Sequence, residues 1–196
     1  NPSSTHSLGR HAKSILELSR KSIAKALNAA AQEILFTSGG TEANNWILRS
    51  AVKDLKVRRI ISSKMEHHAV LYPILELQKE FDIQVEYVEN SADGVLDLTH
   101  LVDLLSESTE KTLVSLMHVN NETGVILDLE RVSQICQEHH ALFHSDTVQS
   151  VGKAILDLQK VPIDFIVSSA HKFHGPKGVG FAFIRKNSGL QPLFFG

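Results

Sequence analysis

Short runs rich in β-branched and aromatic residues alternate along this chain with longer stretches of helical periodicity, and that alternation constrains the fold more than any other feature. Candidate strands lie at residues 33–36, 59–62, 84–88, 112–118, 142–145, 164–168 and 178–184. Helical periodicity covers 11–30, 42–55, 70–81, 98–108 and 129–139. Leu98, Leu101, Val102 and Leu105 carry the i, i+3, i+4, i+7 spacing of a buried stripe. Strand followed by helix, repeated, predicts an α/β domain: a mostly parallel sheet flanked by helices in three layers. The last run, Val179-Gly180-Phe181-Ala182-Phe183-Ile184, follows a Gly-Pro-Lys-Gly turn with no helix before it. It is therefore expected to be the one antiparallel strand.

The 196 residues suit one domain, and 42% hydrophobic content is enough for a sizeable core. Twenty basic against 22 acidic residues leave a formal charge of -2, which gives no electrostatic footprint for nucleic acid. A single cysteine, Cys136, excludes an intramolecular disulfide and favours a reducing compartment. No apolar run approaches the roughly 20 residues that span a bilayer. The first residues, Asn1-Pro2-Ser3-Ser4-Thr5-His6, do not read as a signal peptide. The apolar run Leu193-Phe194-Phe195-Gly196 at the other end is expected to need a partner, and both ends read as cut from a longer protein.

Five polar segments follow candidate strands. Thr37-Ser38-Gly39-Gly40-Thr41-Glu42 joins a strand to a helix. Its glycines allow close approach of an anion to free helix N–H groups, though a capped strand-to-helix turn has the same composition. It is neither a G-x-G-x-x-G fingerprint nor a Walker loop. Ser169-Ala170-His171-Lys172 precedes Phe173-His174-Gly175-Pro176-Lys177-Gly178. A partly desolvated lysine there can form a Schiff base, while the plain alternative is a solvated basic loop. Asp146-Thr147-Val148-Gln149 puts a carboxylate at a strand end, fit for a protonated ring nitrogen or for an N-cap. Glu66-His67-His68 offers a ring that can stack on an aromatic ligand or simply face solvent. Asn120-Asn121-Glu122-Thr123-Gly124 is a polar loop or a ligand contact. In a parallel sheet all five lie along one rim. An anion cradle, a lysine, an acid and a stacking ring together meet the requirements of pyridoxal 5'-phosphate.

These segments resemble the NifS-like cysteine desulfurases, within the class V aminotransferase group of fold-type-I pyridoxal-phosphate enzymes. The resemblance runs over essentially the whole chain, from Asn1–Ser7 through residues 37–45, Glu66-His67 and residues 118–122 to residues 146–153 and 170–178. It implies that residues 1–196 are the cofactor-binding large domain, with the small C-terminal domain absent. It implies that Lys172 forms the Schiff base and moves the Cα proton. Asp146 would pair with the pyridine nitrogen, Gln149 would bond the phenolic oxygen and His67 would stack on the ring and serve catalysis. Gly40, Thr41, Ser169 and His171 would hold the phosphate, and Asn121 would bind the substrate carboxylate.

The implied reaction converts L-cysteine to L-alanine and passes sulfur to an enzyme cysteine as a persulfide, for iron–sulfur clusters or thiolation. Homodimers, a sulfur-acceptor protein such as an iron–sulfur scaffold, and a cytoplasmic or mitochondrial setting come with the resemblance. Cys136 departs from the pattern, because it falls inside a helical segment where cysteine is a packed hydrophobe. The nucleophilic cysteine and the carboxylate-binding arginine are expected outside this chain, so the piece alone is expected to be inactive. A selenocysteine lyase, another class V enzyme and a non-catalytic scaffold remain open alternatives. The 11 histidines include His140 and His144 at i, i+4 spacing, but no H-E-x-x-H or C-x-x-C occurs, so no metal site is expected.

Overall fold

A computed structural model describes residues 1–194. Helix α1 (Ser7–Ala26) starts four residues before the sequence periodicity, because the His6 ring accepts the Gly9 N–H at 3.2 Å and caps it. A 3-10 turn over Ala31–Glu33 then leads into β1 (Ile34–Thr37). Glu33 was expected in that strand. Its carboxylate instead closes the turn, accepting the Ala30 and Lys186 N–H groups at 2.9 Å each. The chain continues as α2 (Gly40–Lys53), β2 (Arg59–Ser62), α3 (His68–Phe81), β3 (Gln84–Tyr87), α4 (Leu98–Ser106), β4 (Thr112–Ser115), α5 (Leu129–Glu138), β5 (Leu142–Asp146), β6 (Phe165–Ser169) and β7 (Gly180–Ile184). Asn28, Asp82 and His140 take left-handed backbone just past α1, α3 and α5, ending those helices.

The seven strands form one sheet in the order β1-β7-β6-β5-β4-β2-β3. Six run in one direction, and β7 alone is reversed, slotted between β1 and β6. Strand β4 is shorter than the expected 112–118. After Ser115 it has left its β2 neighbour, and the Met117 N–H is taken by the Glu66 carboxylate at 2.7 Å instead of by a strand.

Side-chain alternation splits the core in two. On one face Ile34, Ile61, Val114, Phe143, Ile166 and Phe183 pack under α1, α4 and α5. On the other, Ile60, Leu113, Phe165, Val167 and Ala182 pack under α2 and α3. The expected three-layer α/β/α architecture is thus what the chain adopts, with helices on both faces as parallel strands require. The Trp46 indole on α2 donates to the Gln191 carbonyl at 3.0 Å and pins the last segment, so Leu193 packs on the α2–α3 core while Phe194 is exposed. Phe195 and Gly196 of the expected apolar end lie outside the described residues.

Gly180 opens β7 where backbones approach most closely. A Cβ there would lie 2.4 Å from the Ser168 carbonyl oxygen and 2.6 Å from the Gly39 Cα. Gly180→Ala is therefore expected to destabilise the full-length protein by ~1–3 kcal/mol through overpacking. Urea denaturation checks this, and an unchanged midpoint would show that the β1–α2 loop is free to move aside.

Candidate active site

The five polar segments leave the C-terminal ends of β1, β2, β4, β5 and β6, so parallel strand direction alone brings them to one rim. A cavity of about 390 Å³ opens there. Every one of the sequence-derived positions lines it.

From β1, the loop Ser38-Gly39 is held by Glu42 of α2, whose carboxylate accepts the Ser38 N–H at 3.0 Å and the Ser38 hydroxyl. The first helical bond runs from the Ala43 N–H to the Gly39 carbonyl at 3.2 Å. The N–H groups of Thr41 and Glu42 thus have no acceptor within the helix. Gly40 N–H donates to the Ser169 hydroxyl at 2.7 Å, joining the α2 start to the end of β6. A Cβ at Gly40 would sit 2.6 Å from Val148 Cγ2 and 3.1 Å from that hydroxyl, so only glycine permits this approach. Gly40, Thr41 and Ser169 form one wall of the cavity.

Asp146 ends β5 and is 5% exposed. Its Oδ1 accepts the Val148 N–H at 3.0 Å and its Oδ2 accepts the Asn44 amide at 2.8 Å. The segment after it is a turn, so the N-cap alternative describes only the local bond to Val148. Burial raises the carboxyl above its ordinary range, against the pull of the Val148 and Asn44 donors and the nearby His67. Two residues on, half-buried Gln149 lines the same cavity.

Beyond Ser169 the chain makes a 3-10 turn over Ala170–Lys172. The Phe173 and Gly175 N–H groups both donate to the Ala170 carbonyl, at 3.0 and 2.8 Å, and the Ala170 N–H donates to Val179 at 2.9 Å. This closed loop seats half-buried Lys172 and exposed His171 on the cavity wall rather than letting them swing as a solvated basic loop.

His67 caps α3, its Nδ1 accepting the Ala69 N–H at 3.0 Å, and this bond fixes the ring plane at the cavity. Neighbouring His68 turns away and stacks on Tyr72 with centroids 4.8 Å apart. The two asparagines of the β4 loop divide their work. Asn120 Oδ1 accepts the Glu122 and Thr123 N–H groups at 2.9 Å each and closes the turn, leaving exposed Asn121 to line the cavity.

Sequence reasoning missed Asn44, Met117, Val148 and Ala69, which also line the cavity. Asn44 had a signal: it stands at i+4 from Gly40 and i+3 from Thr41, hence on the same helix face. Met117 had none. The burial of Glu66 was also missed. This side chain is 5% exposed, and its Oε2 has no partner among the described residues. Burial, with the nearby Asp146 charge, pushes its carboxyl well above the ordinary range despite the Met117 N–H bond.

Cys136 lies in α5, 2% exposed, and burial pushes its thiol far above the usual range. His140 is the left-handed residue after α5, while His144 is buried on β5, where its Nδ1 pairs with the Ser115 hydroxyl at 2.9 Å. Among the described residues no group of three or more His, Cys, Asp or Glu could hold a metal ion.

Two outcomes follow from these environments. In the native full-length protein, Cys136 is expected to resist alkylation that readily modifies it after unfolding, as mass spectrometry of the α5 peptide would show; rapid native labelling would contradict its burial. Glu66 binds its proton more tightly folded than unfolded. Its contribution to stability is thus fully present below about pH 4.5, the ordinary value, and is lost as pH rises through the folded value. Glu66→Gln cannot titrate. Wild-type stability is therefore expected to fall relative to this variant as pH rises from about 4.5 to 7, and a constant difference in urea unfolding would contradict the assignment.

The geometry agrees with what the chain is similar to. Residues 1–196 match the model of the family described as aminotransferase class-V. Cysteine desulfurase IscS of Dictyoglomus turgidum is 42% identical over 198 residues, covering 100% of this chain and 50% of that protein. Cysteine desulfurase IscS of Pseudoalteromonas translucida is 40% identical over 189 residues, covering 95% and 46%. Among solved structures, a NifS-like protein superposes with a TM-score of 0.94 at 40% identity, covering 100% of this chain and 54% of that one. SspA in complex with cysteine superposes with a TM-score of 0.92 at 32% identity, covering 100% and 57%. This chain spans about half the length of the curated relatives it matches. With its full length matched, the chain belongs to the aminotransferase class-V family.

Proposed function

We propose that residues 1–196 are the cofactor-binding large domain of a cysteine desulfurase that converts L-cysteine to L-alanine and passes the sulfur to an enzyme cysteine as a persulfide. The observation that carries this reading is the convergence of Lys172, Asp146 and the Gly40–Ser169 contact on one cavity. The family is pyridoxal-phosphate dependent, and the residues present fit that group. Asp146 is a buried carboxylate bonded only by uncharged donors, so a cationic ring nitrogen is the partner its environment lacks. Glycine at position 40 keeps open the approach to the α2 N-terminus, where an anion is favoured.

Gly40, Thr41, Ser169 and His171 would hold the phosphate, Gln149 the phenolic oxygen, and His67 would lie against the ring. Pyridoxal phosphate, when bound, supplies an aldehyde that condenses with an amine and a ring that draws electrons from the substrate Cα. Lys172 is the amine for that condensation and the base that moves the Cα proton. Asp146 keeps the proton on the ring nitrogen. Asn121 contributes to holding the substrate carboxylate. Cys136 is sealed in α5, so the sulfur-accepting cysteine belongs to another part of the full-length protein.

The same reading carries a homodimer, a sulfur-acceptor protein such as an iron–sulfur scaffold, and a reducing compartment, cytoplasmic or mitochondrial, in keeping with a lone buried thiol. No helix among the described residues is long and apolar enough to cross a membrane.

Full-length protein treated with pyridoxal phosphate and borohydride is expected to carry the label on Lys172, read by mass spectrometry, and to form alanine from cysteine. Lys172→Ala is expected to lose the label and to slow turnover by about 10²–10⁴-fold. Label elsewhere would overturn the cofactor assignment. Turnover of selenocysteine alone would replace cysteine as the substrate.

A further inference from the structure

Burial works against the charge that Asp146 needs. A carboxylate that is 5% exposed gains a proton more readily than one in water, and a protonated Asp146 could not hold a cation. Something beside it has to favour the ionised form without competing for the proton.

Asn44 meets that requirement. It is fully buried on α2, one turn beyond the Gly40–Thr41 cradle. Its amide donates to Asp146 Oδ2 at 2.8 Å, while Oδ1 takes the Val148 N–H at 3.0 Å. Each carboxylate oxygen is therefore held by one donor, from two different elements, and the plane of the group is set. An amide carries no titratable proton, so it supports the charge over the whole working pH range. The other end of the Asn44 side chain, Oδ1, is buried without a partner among the described residues. A residue kept there for packing alone would be apolar, because an enclosed polar atom left unpaired costs stability. The bond to Asp146 is what offsets that cost.

The surrounding charges sharpen the requirement. His67, from the β2–α3 connection, attracts the Asp146 charge, and that charge in turn adds to the burial that raises the Glu66 carboxyl. Lys172 lines the same cavity. We propose that Asn44 is the positioning residue that fixes the Asp146 carboxylate and keeps it ionised for the cofactor's ring nitrogen, an inference that rests on the function proposed above. On this reading α2 is a single rigid strut: its first turn cradles the phosphate and its second turn orients the acid, so one helix sets the distance between the two ends of the site.

The test uses the full-length protein, with Asn44→Leu, which keeps the volume and removes the donor, and Asn44→Asp, which donates only while the new carboxyl holds a proton. Pyridoxal phosphate affinity is measured by titrating apoenzyme. Ring-nitrogen protonation is read by NMR with ¹⁵N-labelled pyridoxal phosphate across pH, and thermal unfolding reports the fold. Asn44→Leu is expected to bind the cofactor about tenfold or more weakly and to lose the ring proton at a pH about one unit lower. Asn44→Asp is expected to match wild type while its new carboxyl holds a proton and to depart from both wild type and Asn44→Leu once that carboxyl ionises beside Asp146, a pH-dependent signature that a merely structural role would not produce. A folded Asn44→Leu with wild-type affinity and wild-type nitrogen titration overturns the role of Asn44 alone. Should Asn44→Leu not fold, a ring-nitrogen titration of Asn44→Asp that coincides with wild type at every pH overturns it. Failure of wild type itself to take up pyridoxal phosphate at Lys172 overturns the proposed function, and this inference with it.

Discussion

Six strands running the same way are the constraint on which the rest of this structure depends. Parallel strands end together, so five unrelated polar segments, spread from Thr37 to Lys172, meet on one rim without any of them needing to be near another in sequence. Reversed β7 completes the arrangement. By pairing with both β1 and β6 it brings the Gly40 loop against Ser169, two positions separated by 129 residues.

The site pairs rigidity with electrostatic tension. Its donors are mostly backbone N–H groups and amides held by closed turns: Val148 on Asp146, Ala69 on His67, Met117 on Glu66. Its two buried carboxyls are treated differently. Asp146 has a donor on each oxygen and His67 nearby, whereas Glu66 has one donor and one oxygen left bare. Burial raises both carboxyls, Glu66 further than Asp146, which has the more donors to hold a charge. Asp146, the carboxyl with a donor on each oxygen, is the one that lines the cavity.

Much of the fold was legible in the residues. Each of the seven strands and five helices had a periodic or β-rich signature, and the missing helix before Gly180 marked the reversed strand. The misreadings are local and share a cause. Glu33, the end of β4 and the start of α1 were each decided by one or two side-chain hydrogen bonds: Glu33 on Ala30 and Lys186, Glu66 on Met117, His6 on Gly9. A single bond of that kind leaves no periodic trace.

Which chemistry-bearing residues follow which strands can be read along the chain, because strand and helix periodicities are local properties of side-chain spacing. The sequence also marked Gly40 and Lys172 as residues whose types matter. It took the packing of the elements to bring these residues to one cavity, to have Asn120 close a turn while Asn121 faces the site, and to let Asn44 reach Asp146 across 102 residues. The same packing sealed Cys136 in a core and stripped Glu66 of solvent. The physical reason is the same in each case. Burial and hydrogen-bond partnership depend on which elements pack together, and no spacing along the chain encodes the distance between two strands that are not neighbours in it.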